Sequence, residues 1–297
     1  MSQQDAKLKE RVRAFWQANP CGIKFVDAAP GTRRFYELVE AHRYTKEWHI
    51  PMAAAFSRTR GVKVLEIGCG LGTDGAQFAK AGADYTGVDL TDAAVELARR
   101  RFELFDLPGT FKRADAENLD FEDESFDLVY SHGVLHHTPE TRKAIEEVHR
   151  VLRFGGRATV MLYHRDSYNY RVNISILRRA GAQLLNWESG VKLVHRMTGE
   201  PLDSLREHAK LLKTEKESYL DAGEFLSQNT DGAGNPWARV YSRAEARELF
   251  ADFSEVKLKT YFFNKRWLPV IGKVLTRSFE SRLAARWGWH LWIYATK

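Results

Sequence analysis

The most constraining stretch is the largely apolar run Val62–Ile67, which passes into Gly68-Cys69-Gly70-Leu71-Gly72 and then a helical pattern over Asp74–Ala81. An apolar run of that length reads as a strand buried on both faces, and such strands belong to parallel sheets. The glycines that end it let the main chain turn sharply, and they let a ligand reach backbone N–H groups with no Cβ in the way. The same strand-then-helix unit recurs. Strands are expected at Tyr85–Val88, Thr110–Arg113, Phe126–Ser131 and Arg157–Tyr163, with helices at Ala93–Phe105 and Thr141–Leu152. This alternation specifies an α/β fold with a doubly wound, mostly parallel sheet covered by helices on both faces.

Before the first strand, residues 1–60 read as an N-terminal helical cap. Its helical stretches, Lys7–Gln17 and Phe35–Phe56, are separated by the turn Asn19-Pro20-Cys21-Gly22. Residues 61–297 form the main domain. After Tyr163 the pattern changes, and residues 167–240 read as an insertion whose part Ser167–Thr230 is mostly helical. Strands return at Glu255–Phe263 and Trp289–Thr296, separated by residues 264–288, rich in Lys, Arg and Trp.

Two cysteines, Cys21 and Cys69, are too few for a disulfide framework or a four-ligand zinc site, so a reducing, cytoplasmic setting is expected. Met1–Glu10 is polar, and no run approaches the roughly 18 apolar residues of a spanning helix. A formal charge of +6 suits acidic partners. No glycine-arginine repeat, polybasic tail or nucleic-acid motif accompanies it, which argues against a nucleic-acid substrate.

Three strand ends point at one nucleoside. The second strand ends in Asp89, followed by Leu90, where a carboxylate accepts from both hydroxyls of a ribose. Asp115, with Ala116 and Glu117, follows the third strand and is suited to accept from an adenine amino group. The glycine turn, preceded by Glu66, supplies the rest. A nicotinamide-dependent oxidoreductase uses a similar strand, turn and ribose acid, but its fingerprint wants Gly or Ala where this chain has Thr73. A regulator that binds the nucleoside without turnover has the same cofactor motifs.

Val64–Gly72, Thr86–Leu90, Ala114–Glu117, Phe126–Ser131 and Val151–Gly156 together resemble the class I S-adenosylmethionine-dependent methyltransferases, in the type 11 or ubiquinone-biosynthesis-like group. The resemblance covers most of residues 60–165. It implies a Rossmann-like domain, S-adenosyl-L-methionine as cofactor and a closing strand that ends at Lys297. It further implies that Gly68, Gly70 and Gly72, with Cys69 among them, pass beside the methionine part, that Asp89 holds ribose, that Asp115 and Ala116 frame adenine, and that Ser131 lines the methionine side. Phe154 stands where the group commonly has proline, a departure expected to alter a turn.

Methyl transfer from a sulfonium needs positioning and exclusion of water, with a base only when the acceptor must lose a proton. His136 and His137 follow the fourth strand, and an imidazole titrates near neutral pH, so His136 is the candidate base. The other reading is that the pair packs or caps the next helix. Tyr163 and His164 end the fifth strand as candidate acceptor contacts, and Arg43 and Tyr44 in the cap are candidates to close over the cofactor carboxylate. The fourth strand lacks the Asn/Asp-Pro-Pro-aromatic turn used on DNA bases, which favours a small-molecule acceptor. Residues 167–240 and 264–288 are expected to cover the acceptor pocket. Lys265, Arg266, Lys273, Arg277, Arg282 and Arg286 suit an anionic substrate, a membrane bearing a lipid-like acceptor, or a dimer contact. An amphipathic helix with a solvated basic face is the plain alternative.

Overall fold

A computed structural model of the protein describes residues 3–215, 218–265, 268 and 276–297. Seven strands form one sheet: β1 Lys63–Ile67, β2 Asp84–Asp89, β3 Thr110–Arg113, β4 Phe126–His132, β5 Leu152–Tyr163, β6 Glu255–Tyr261 and β7 His290–Thr296. Their order is β3-β2-β1-β4-β5-β7-β6, and the first five are parallel. Lys297 exchanges hydrogen bonds with Gly155 and Gly156 early in β5, and Trp289 accepts from His164 just beyond its end. β7 therefore runs antiparallel to β5, so the closing strand expected from the resemblance is present. Among the described residues no helix is long and apolar enough to cross a membrane.

The chain divides into two compact units. The first holds residues 1–162, 243–259 and 292–297. It contains α1 Gln3–Ala18, α2 Arg33–Lys46, α3 Ile50–Ala54, α4 Thr73–Lys80, α5 Asp92–Leu104 and α6 Thr141–Val151. The single helix expected over Phe35–Phe56 is two, because Pro51 sits in the first turn of α3 and disfavours continuous helix before it. Phe35, Tyr36 and Val39 are spaced to share one side of α2, and they are buried with Leu71 of the glycine turn, so the cap anchors directly on that turn.

β5 begins five residues earlier than expected. Phe126 pairs with Leu152 but Leu128 pairs with Arg157, so the strand carries a bulge over Arg153–Gly156. Gly155 has φ +72° there, and a Cβ on Gly156 would lie 2.7 Å from the Arg153 carbonyl oxygen. The two glycines that read as a turn instead permit an irregular strand.

The second unit holds residues 163–242 and 260–291. Its described residues in 169–215 and 218–228 are mostly helical, with Ile174, Leu185, Val191, Leu205, Leu212 and Phe225 among its buried residues. Of the basic segment, Arg277–Trp287 forms a helix with Phe279 and Trp287 exposed, whereas Arg266, Trp267 and Lys273 lie outside the described residues.

Candidate active site

The carboxyl ends of β1, β2, β3 and β4 converge. Gly68, Gly70 and Gly72 have φ of 79°, 52° and 68°. Gly68 and Cys69 both donate to the Val88 carbonyl, at 2.7 and 2.9 Å, which ties the turn to β2. The glycines differ in what surrounds them. A Cβ on Gly68 would fall 2.1 Å from Val134, whereas one on Gly70 would meet nothing within 4 Å. Gly68 is thus a packing glycine, and Gly70 leaves its main chain open to a ligand. Gly68→Ala is expected to lower the unfolding free energy by about 2–4 kcal/mol, from strain at positive φ plus overpacking. Gly70→Ala should cost less than half as much while weakening cofactor binding. Equal destabilisation in chemical denaturation would contradict this division.

Asp89 is oriented by backbone and side-chain donors. Oδ2 accepts from Gly70 N–H at 3.2 Å, and Oδ1 accepts from the Thr91 N–H at 3.0 Å and its hydroxyl at 2.8 Å. Burial raises its pKa, with these hydrogen bonds opposing the rise. Leu90 follows, half-buried.

At the end of β3, Asp115 and Glu117 are both engaged by Lys9 of α1, with Lys9 Nζ 2.6 Å from Asp115 Oδ2. Burial opposes the ammonium, but the two carboxylates outweigh it and hold the Lys9 pKa above its ordinary value. Asp115 Oδ1 accepts from Glu117 N–H, Glu117 Oε1 accepts from Glu140 N–H, each at 3.0 Å, and Ala116 is buried between them. Trp16 of α1 meets the His137 ring edge-on at 5.3 Å, and Gln17 accepts from Ala93 N–H. α1 therefore lies across the ends of β2, β3 and β4. Lys9 and Trp16 were not singled out in the sequence, although with buried Val12 they follow the i, i+3, i+7 spacing of one helix face.

Behind the glycine turn sits a buried polar cluster. Arg43 grips Asp74 with two hydrogen bonds, Nε to Oδ1 at 2.9 Å and Nη2 to Oδ2 at 2.5 Å, and Tyr44 and Tyr130 each donate to the same carboxylate at 2.9 Å. Burial alone would raise the Asp74 pKa, but the Arg43 guanidinium holds it below the ordinary value. Arg43 Nη2 also lies 3.2 Å from His132 Nδ1. Since a guanidinium cannot accept, Nδ1 is the acceptor and the ring proton resides on Nε2. Glu66 accepts from the Tyr85 hydroxyl at 2.6 Å, and burial pushes its pKa well above the carboxylate range. Ser131 is fully buried and donates to the Ile67 carbonyl. Arg43, Tyr44, Glu66 and Ser131 are thus all held by partners within the protein.

His136 is fully buried on the short turn after β4, with its ring 4.4 Å from that of His137. In the second unit, Tyr163 stacks on Trp289 at 4.3 Å and donates to Asp231, with both carboxylate oxygens within 3.0 Å.

The buried imidazoles make the first unit acid-sensitive. Burial, assisted by Arg43, pushes the His49 pKa down to about 3 and lowers that of His132 well below the ordinary 6.5. Their folded-state pKa values are depressed, so the unfolded chain binds more protons. Their contribution is complete above about pH 6.5 and is lost as pH falls, at up to about 1.4 kcal/mol per pH unit for each ring. Stability followed from pH 7 to 4 should decline, and His49→Gln should flatten the decline; an unchanged slope would contradict the assignment.

The family described as a methyltransferase domain matches residues 65–160. A Mycobacterium ulcerans protein named phthiotriol/phenolphthiotriol dimycocerosates methyltransferase 1 is 30% identical over 213 residues, covering 69% of this chain and 68% of that one. A demethylmenaquinone methyltransferase of Clavibacter sepedonicus is 34% identical over 113 residues, 38% of this chain and 46% of its own. Among solved structures, magnesium protoporphyrin IX methyltransferase from Synechocystis superposes with a TM-score of 0.53 at 15% identity, covering 97% of this chain and 99% of that chain, a likeness of fold.

Proposed function

The chain belongs to the class I S-adenosylmethionine-dependent methyltransferases, and from that premise we propose that its acceptor is an apolar, poorly water-soluble metabolite. S-Adenosylmethionine is the cofactor and methyl transfer the reaction. When bound, the cofactor supplies a methyl group on a sulfonium sulfur that is its own leaving group, so the protein's task is positioning. The open main chain at Gly70 fits it, because a ligand can approach there without meeting a side chain. In this reading Asp89 accepts from ribose, Asp115 and Ala116 frame the adenine, Gly68–Gly72 passes the methionine part, and the Arg43–Asp74 pair holds Tyr44 and Tyr130 in place behind it. His136 takes the acceptor proton.

The observation that carries the acceptor class is the M. ulcerans relative, related over two thirds of its length and named for phthiotriol dimycocerosates; the C. sepedonicus protein is named for demethylmenaquinone. Both named acceptors are strongly apolar molecules. Release of S-adenosylhomocysteine should be followed with detergent-dispersed quinols and long-chain alcohols and with water-soluble amines and acids. Turnover confined to the dispersed acceptors is the expected result; turnover confined to soluble metabolites overturns it.

A further inference from the structure

The helix Glu188–Thr198 of the second unit has two unlike sides. Gly190 and Val191 face inward, and a Cβ on Gly190 would lie 1.9 Å from the Leu184 carbonyl oxygen, so the helix rests directly on the preceding turn. One flank carries Lys192, Leu193, Arg196 and Met197, whose i, i+1, i+4, i+5 spacing makes them neighbours on the helix surface. Leu193 is 47% exposed and Met197 68%, and Trp187, where the helix begins, is 64% exposed. Six of the twelve large hydrophobic residues exposed among the described residues fall within 176–197, so this is a concentration rather than the usual scatter.

Along residues 171–198 the charge is almost all basic. Glu188 is the lone acid between residues 171 and 198, and it is taken by Arg206 at 2.9 Å. Lys192 and Arg196 make no ion pair among the described residues. A solvated helix face would carry polar residues in place of Trp, Leu and Met. A symmetric contact with a second copy would bring like charges together across the axis. An anionic bilayer complements both halves of the pattern: Leu193, Met197 and Trp187 enter the headgroup and acyl boundary, and the cationic heads stay at the phosphates on their aliphatic stems.

We propose that Trp187 and the helix Glu188–Thr198 seat this protein on anionic lipid surfaces. The inference stands on this face and not on the identity of the acceptor. Sedimentation of the full chain with phosphatidylcholine vesicles, with and without phosphatidylglycerol, tests it in the absence of any acceptor, so its failure leaves the methyl-transfer reading untouched. Binding should require phosphatidylglycerol and weaken with added salt. The pair Lys192→Gln and Arg196→Gln should reduce partitioning about tenfold or more. Leu193→Ser with Met197→Ser should reduce it comparably even at low salt, with circular dichroism and cofactor affinity unchanged in both variants. Absence of binding to the anionic vesicles, binding that both variants retain, or a dimer that the serine variant dissociates would overturn the proposal.

Discussion

Asp74→Ala is expected to lower the unfolding free energy by about 3–5 kcal/mol, the loss typical when one partner of a buried ion pair is removed. Asp74 is 2% exposed and accepts from Arg43, Tyr44 and Tyr130 at once. Without it the buried guanidinium keeps only His132 Nδ1 and the longer contact to Glu47, and Tyr44 keeps only the Thr73 carbonyl at 3.3 Å, a desolvation cost that outweighs the Coulomb energy given up. The double replacement Arg43→Met with Asp74→Leu should therefore recover much of the loss, because no uncompensated charge remains. Urea denaturation of the parent protein and the two variants decides it. A single-variant effect below about 1 kcal/mol would mean that water replaces the carboxylate.

His136→Ala should reduce turnover by about 10²- to 10⁴-fold, the range for a general base, while cofactor affinity changes little. Its ring is fully buried beside His137, which in turn meets Trp16 of α1. Burial keeps bulk water from competing for the acceptor proton, and the position directly after β4 puts the pair at the strand end where an open α/β sheet binds its ligands. Undiminished turnover with reduced thermal stability would instead make the pair part of the core.

What the sequence displayed well was local and periodic. Runs such as Phe126–Ser131 and the glycine turn after Ile67 carry their own signals, so strand positions, the parallel core and the family were legible. Contacts between distant residues were not. Lys9 reaches Asp115 and Glu117 across more than a hundred residues, and nothing near any of the three marks the pairing. Arg43 and Tyr44 read as cofactor contacts from the position of the cap, and their hydrogen bonds to Asp74, some thirty residues on, carry no local mark. Gly155 and Gly156 had two physical solutions, a turn or a bulged strand, and pairing with β4 selected the second.

The central claim is that S-adenosylmethionine lies in the crevice formed by the glycine turn and Asp89, and calorimetric titration of the parent protein and Asp89→Ala tests it most directly. The parent should bind S-adenosylmethionine and S-adenosylhomocysteine and not NAD. The variant should bind both at least about tenfold more weakly, since hydrogen bonds to a charged group contribute roughly 1.5–3 kcal/mol each. An unchanged dissociation constant in Asp89→Ala, or NAD bound in preference to the sulfonium, would contradict the account.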